Sequence, residues 1–135
     1  MAYLGQLDDF LSGADITFTF KGKQYEVTPT ARQVLEFQRD YQNDINSDKP
    51  TEEISTWARV CPLLGSTLNK KTLEIEGGIL GELIDDGATY TQLERIVSAV
   101  HFKYVQGDDL AKAYFETGNL GKSLKMAREA NQNND

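Results

Sequence analysis

With one cysteine, Cys61, and one histidine, His101, in 135 residues, the chain can assemble neither an intramolecular disulfide nor a Cys/His zinc site. Structural zinc is excluded, and nothing argues for secretion. Long apolar runs are missing too: no stretch approaches the ~18 residues of a membrane span. The first residues lack the basic and apolar regions of a signal peptide, so the expectation is a cytosolic protein without a membrane partner. Positive charge is the scarcer sign, with 14 basic against 21 acidic side chains and a net charge of −7. That balance favours solubility and repels phosphate backbones, so nucleic-acid binding would need a local basic patch. Lys122, Lys125 and Arg128, facing Glu129 and Asp135 in a solvated segment, do not make one.

What is present is ordinary: hydrophobic residues form 39% of the chain, enough at this length for one core without a metal or disulfide staple. Leu4, Leu7, Phe10 and Leu11 repeat at helical spacing before Gly13, which predicts a short amphipathic helix. Ile16, Phe18 and Phe20 then alternate with threonines, as a half-buried strand requires. A two-residue Gly22-Lys23 turn would pair Phe20 with Tyr25 and Phe18 with Val27, placing Thr19 opposite Glu26 on the wet face. Thr28-Pro29 fits a cap and first helical position, and Val34, Phe37, Tyr41 and Ile45 follow as one stripe. The polar residues 43–49 read as a loop.

Pro50-Thr51-Glu52-Glu53 opens a second helix whose buried face holds Ile54, Trp57, Ala58 and Cys61, ended or kinked by Pro62 and Gly65. Residues 66–76, where Lys70, Lys71, Glu74 and Glu76 interleave with Leu73 and Ile75, read as a short strand or an irregular excursion. Gly77-Gly78 resets the chain, and Ile79, Leu80, Leu83 and Ile84 predict a short helix ending near Asp86-Gly87. Thr91 and Glu94 are spaced as a capping box for a long helix with Leu93, Ile96, Val97, Val100 and Tyr104 on one stripe. Asp108 or Asp109 would cap a last helix closed by Gly118. The prediction is one α+β, mostly α domain: an N-terminal β-hairpin packed on four to five helices over residues 1–118, then a flexible C-terminal tail over 119–135.

No catalytic, cofactor or metal constellation emerges from the residues. Gly118 to Ser123 ends like a phosphate-binding loop, but two residues separate its glycines where four are needed, and no buried strand precedes it. Cys61 shares a helical face with Ile54 and Trp57, which reads as a small buried hydrophobe, and His101 flanks the Val97–Val100–Tyr104 stripe. The pairs Asp8-Asp9, Glu52-Glu53, Asp85-Asp86 and Asp108-Asp109 lack the spacing and glycine of a calcium loop; all but Asp85-Asp86 sit near predicted helix starts.

The candidate partner-binding residues are Phe102, Leu120, Leu124 and Met126. Phe102 points about 180° from the apolar stripe of its helix at 100° per residue. Either that helix is buried on both sides, or Phe102 belongs to a protein-binding patch. Leu120, Leu124 and Met126 read as a weak amphipathic turn that orders on a partner.

Leu7-Asp-Asp-Phe-Leu11, the hairpin from Phe18 to Tyr25 with its following proline, and Asp85-Asp-Gly-Ala-Thr-Tyr-Thr-Gln-Leu93 stand in a fixed order. An aromatic-rich helix and Asp109-Leu-Ala-Lys-Ala-Tyr114 complete it. In this pattern, over residues 5–118, the chain resembles the small tail assembly chaperones of long-tailed, siphovirus-type bacteriophages, especially those infecting actinobacteria; residues 66–76 depart from that family's compact layout. The resemblance implies a non-enzymatic protein that binds the tape measure protein, keeps it soluble and promotes polymerisation of the tail tube, built of the major tail protein, around it. It implies residence in the host cytoplasm and absence from the mature virion. It further implies a longer form made by ribosomal frameshifting, with the junction after Gly118. The alternative class is a structural virion component, a head–tail joining or tail-terminating protein.

Overall fold

The computed structural model describes residues 1–6, 15–48 and 52–133, with side chains to residue 130. The helix expected around Leu7, Phe10 and Leu11, the Asp8-Asp9 pair and the Pro50-Thr51 helix start lie outside the described residues. Strands β1 (Ile16–Phe20) and β2 (Lys23–Val27) form the hairpin, joined by Lys21-Gly22 rather than Gly22-Lys23. Both turn residues have positive φ, 50° and 80°, the mirror-image turn whose twist matches paired strands and which favours glycine second. The register therefore pairs Phe18 with Tyr25 and Ile16 with Val27, correcting the expected Phe20–Tyr25 and Phe18–Val27 pairs. Because the displacement is two residues, the apolar side chains keep their face. Phe18 stacks on Tyr25 with ring centroids 5.1 Å apart, and Tyr25 and Val27 are buried.

Helix α1 (Ala31–Ile45) starts two residues later than expected, because its cap is Thr30. Thr30 Oγ1 accepts from the Gln33 amide at 3.2 Å, and the Gln33 side chain accepts from the Thr30 amide at 2.9 Å. That reciprocal box outcompetes Thr28-Pro29. The helix continues into the first three residues of the predicted loop and ends at Ile45, which is exposed: eight residues after Phe37 the stripe has drifted 80° past two full turns. Helix α2 (Glu53–Val60) runs into a 3₁₀ turn, Cys61–Leu64, closed by Gly65. Residues 66–76 form the two-residue strands β3 (Thr67–Leu68) and β4 (Ile75–Glu76), paired antiparallel around a loop.

Helix α3 (Gly78–Asp85) follows at once. Its first turn is satisfied from across the β3–β4 hairpin: Ser66 Oγ, buried, donates to the Gly77 carbonyl at 2.8 Å and accepts from the Leu80 amide at 3.1 Å. The β1–β2 hairpin is clipped to the other end of α3. Lys23 pairs with Glu82, Lys21 donates to the Asp86 carbonyl, and the Tyr25 hydroxyl donates to the Asp86 carboxylate at 3.4 Å.

Helix α4 (Tyr90–Val105) is capped by Thr89 with Gln92, not by Thr91 with Glu94. Glu94 is instead half-buried and accepts from the Tyr114 hydroxyl at 2.5 Å and the Ser98 hydroxyl at 2.9 Å. Leu93, Ile96, Val97 and Val100 are buried as the periodicity predicts, and α4 packs against α1 and α2 on one side and α5 on another. Helix α5 (Asp108–Thr117) is preceded by Gly107 at its cap, so Asp108 and Asp109 lie in the first turn and do not cap it. There they face the positive end of the dipole. The stretch predicted as a flexible tail is helical over α6 (Leu120–Asn133). Its start is anchored by Asn119, whose side chain accepts from the Lys122 amide at 2.9 Å, and by the fully buried Ser123, which donates to the Asn119 carbonyl at 2.6 Å.

Candidate functional site

Helices α2 and α4 run beside each other and present apolar residues at three-residue spacing, Ile54 and Trp57 from one, Tyr90 and Leu93 from the other. Side chains three apart lie on one helical face, so each helix supplies one wall of a trough. Ile84 and Ala88, with Leu68, Leu73 and Ile75 of the β3–β4 hairpin, complete the lining. The result is an open groove of about 600 Å³ with nine apolar or aromatic liners and one carboxylate, Glu53. Trp57 is its buried floor, and Tyr90 stacks on it with centroids 5.6 Å apart and planes 12° apart. The Tyr90 hydroxyl donates to Glu53, and this bond, followed by burial, raises its pKa above the ordinary phenol value.

Three of the liners are unusually exposed for their type: Leu73 at 62%, Tyr90 at 62% and Ile84 at 38%. Isolated exposed hydrophobes are common, but several around one concavity mark a binding surface. Leu73 is held there by a built turn. The Asn69 side chain accepts from the amides of Lys71 and Thr72 at 2.9 and 3.2 Å, and the Leu73 amide donates to the Asn69 carbonyl at 2.7 Å. Leu73 itself sits at φ 63°, a left-handed conformation that a leucine adopts only when its surroundings impose it.

The residues singled out by sequence lie elsewhere. Phe102 is half-buried, its ring edge-on to Tyr114 of α5 at 5.1 Å, on the second packed side of α4. Met126 is half-buried on the same α6 face as Ser123 and Ala127, whereas Leu120 and Leu124 are exposed. Leu124 borders an open cavity with Gln106, Leu110 and Arg128. Cys61 is buried, and desolvation pushes its thiol up to about 11, so it is protonated at neutral pH. Among the acidic pairs, Glu53 enters the groove, Asp86 receives the β1–β2 hairpin, and Asp108 pairs with Lys103. Among the described residues no group of three or more His, Cys, Asp or Glu side chains is placed to hold a metal, and no helix is long and apolar enough to cross a membrane.

The groove was not legible in sequence because it joins α2, residues 66–76, the end of α3 and the start of α4. Its one local signal is Leu73, an apolar residue isolated among Lys, Thr and Glu.

On α4, His101 is packed edge-on against Phe37 at 5.7 Å and Tyr41 at 5.3 Å, and its Nδ1 has no hydrogen-bond partner among the described residues. Burial, reinforced by the Arg59 charge, lowers its pKa from 6.5 to about 4. The unfolded chain therefore takes up a proton between pH 6.5 and 4 that the folded chain refuses. The stabilisation is whole above pH 6.5 and is lost as pH falls toward 4, by about 1–2 kcal/mol at pH 5. Urea unfolding at pH 7 and 5 checks this: a His101→Gln variant should lose less stability on acidification than the wild type, and equal losses would contradict it.

Fold and site together define a mostly helical α+β domain with an open, helix-walled apolar groove. The chain belongs to the family described as Domain of unknown function (DUF7426), which it matches over residues 5–135. No curated protein and no solved structure matches it.

Proposed function

We propose that this protein is a tail assembly chaperone of a long-tailed bacteriophage, a non-enzymatic binding protein that holds the tape measure protein soluble while tail-tube subunits polymerise around it. The observation that carries the reading is the apolar groove between α2, α3 and α4, with Leu73, Tyr90 and Ile84 exposed around it. An exposed apolar trough on an acidic domain suits a holding function: the trough takes up apolar surface of a client, and the net charge of −7 opposes self-association. The order of sequence motifs described above supports the same reading. On it, the protein works in the host cytoplasm, is absent from the finished virion, and has a longer frameshifted form diverging within residues 119–135.

Co-expression with the tape measure protein of the same locus tests this directly. The wild type should raise the soluble fraction of the tape measure at least fivefold, and Ile84→Asp, at an exposed groove position, should abolish the gain while leaving the chaperone folded. A tape measure equally insoluble with and without the protein would refute the reading. Stoichiometric recovery of the protein from purified particles would establish the virion-component alternative instead.

A further inference from the structure

A second cleft follows the outer edge of β1. Two cavities of about 280 and 210 Å³ adjoin there, sharing Phe18, Ile96 and Phe115. Together they are lined by every residue from Asp15 to Phe20, whichever face of the strand its side chain takes, and by none of β2. A space that meets both faces of one strand and misses its partner lies along that strand's free edge. The facing wall is built by Ile96, Ala99 and Lys103 of α4 and by Asp108, Ala111 and Phe115 of α5, residues three or four apart that share a helical face. Of the cleft's lining only Ala88 also lines the apolar groove.

The sheet has two strands, so β1 has no neighbour on this side among the described residues. The two-residue turn makes Phe20 and Lys23 a hydrogen-bonded pair, and alternation then turns the amide and carbonyl groups of Thr17 and Thr19 away from β2, towards the cleft. Both threonines are exposed, and those groups make no hydrogen bond among the described residues. Such an edge is completed by another extended main chain, whereas a helix, whose backbone is already paired, leaves it open.

The charged side chains of the lining are Arg95, Lys103 and Lys112 against Asp15 and Asp108, opposite in sign to the chain as a whole. Both carboxylates are engaged: Asp108 pairs with Lys103, and Asp15 accepts from the Tyr104 hydroxyl at 2.6 Å. Arg95 donates to the Phe115 carbonyl at 2.9 Å and leaves its buried Nε unpartnered. Among the described residues neither Arg95 nor Lys112 has a carboxylate within ion-pair distance. Past Phe20, Lys21 lies 5.4 Å over that ring and is balanced by Asp86, whose carbonyl it binds.

We propose that this edge binds an extended acidic segment of a partner protein, which adds to β1 as a third strand, seats apolar side chains against Phe18, Ile96 and Phe115, and presents carboxylates to Arg95 and Lys112. The unpaired main chain of Thr17 and Thr19 selects an extended occupant, and the two uncompensated cations select its charge. This is a second surface, and it does not depend on the chaperone reading of the apolar groove.

The test uses two fluorescein-labelled seven-residue peptides, valine alternating with glutamate in one and with lysine in the other, titrated against the full chain at physiological salt. The glutamate peptide should bind about tenfold more tightly or better. Alternate residues of a strand turn their backbone amides to opposite edges, so N-methylation of one alternate set in the glutamate peptide should abolish binding, and of the other set should change it by less than about threefold. Thr19→Pro removes an outward amide and no bond to β2, and should weaken binding about tenfold with the melting temperature little changed. Lys112→Glu, at an exposed position, should weaken it by about as much. Equal affinities for the two peptides, an equal response to the two methylated sets, or no binding of either peptide overturns the proposal. If Thr19→Pro unfolds the chain, Lys112→Glu and the methylated peptides decide it. A dimer that forms without peptide and is lost in Thr19→Pro would assign the edge to a second copy of the chain and overturn the proposal as well.

Discussion

Replacing Gly78 by alanine should destabilise the protein by about 4 kcal/mol, lowering the melting temperature by about 15 °C, the largest effect expected of any single methyl group added to this chain. Gly78 opens α3 at φ 60°, where a Cβ costs about 1–2 kcal/mol. The new Cβ would also be driven against the backbone carbonyl group of Gly65 and would lie 2.5 Å from the Leu64 carbonyl oxygen. Those are main-chain atoms closing the 3₁₀ turn and cannot swing aside as a side chain would. Relief requires separating the end of that turn from the start of α3, which breaks the two hydrogen bonds of Ser66 and loosens the β3–β4 hairpin that carries Leu73. Thermal unfolding followed by circular dichroism measures it; a melting temperature within 3 °C of the wild type would show that the two backbones are not in contact.

The second large effect is expected at Asp44. Arg59 is the buried charge of α2, its side chain 5% exposed, and Asp44 at the end of α1 is its ion-pair partner. The guanidinium also donates to Thr56 Oγ1 at 3.2 Å and lies over the Tyr41 ring at 5.5 Å, but neither neutralises it. Asp44→Ala strands the cation and should cost about 2–3 kcal/mol, below the figure for a fully buried pair because the Asp44 side chain is 39% exposed and partly screened by water. The double variant Asp44→Ala/Arg59→Met should recover most of that loss, because removing both charges removes the desolvation penalty together with the attraction. Urea unfolding of the four-member cycle checks the pair. Additive losses would mean that the two residues act independently.

Some features were readable locally and others were not, and the division follows the range of the forces involved. The buried stripe of α4, the burial of Trp57 and Cys61 on one helical face and the sidedness of the β1–β2 hairpin all express periodicity within one element. Caps were recognised in kind and misplaced by one or two residues. Thr28, Thr30, Thr89 and Thr91 offer competing hydroxyls, and the winning threonine is the one with glutamine three positions on. Residues 119–133 are polar enough to read as a tail, and their helix is secured by contacts with α5 and by Ser123, whose burial no pattern of apolar residues signals.

By itself, then, the sequence determined the class of fold, the membership and order of the main elements and the apolar faces they bury, because these depend on residues within a turn or two of one another. Tertiary structure alone decided the rest. It made Arg59 a buried cation, set Gly78 against Gly65, occupied Phe102 with Tyr114, and assembled Ile54, Trp57, Leu73, Ile84 and Tyr90 into one groove. Each of these depends on which surfaces meet when segments ten to forty residues apart pack together, and no local periodicity encodes that meeting.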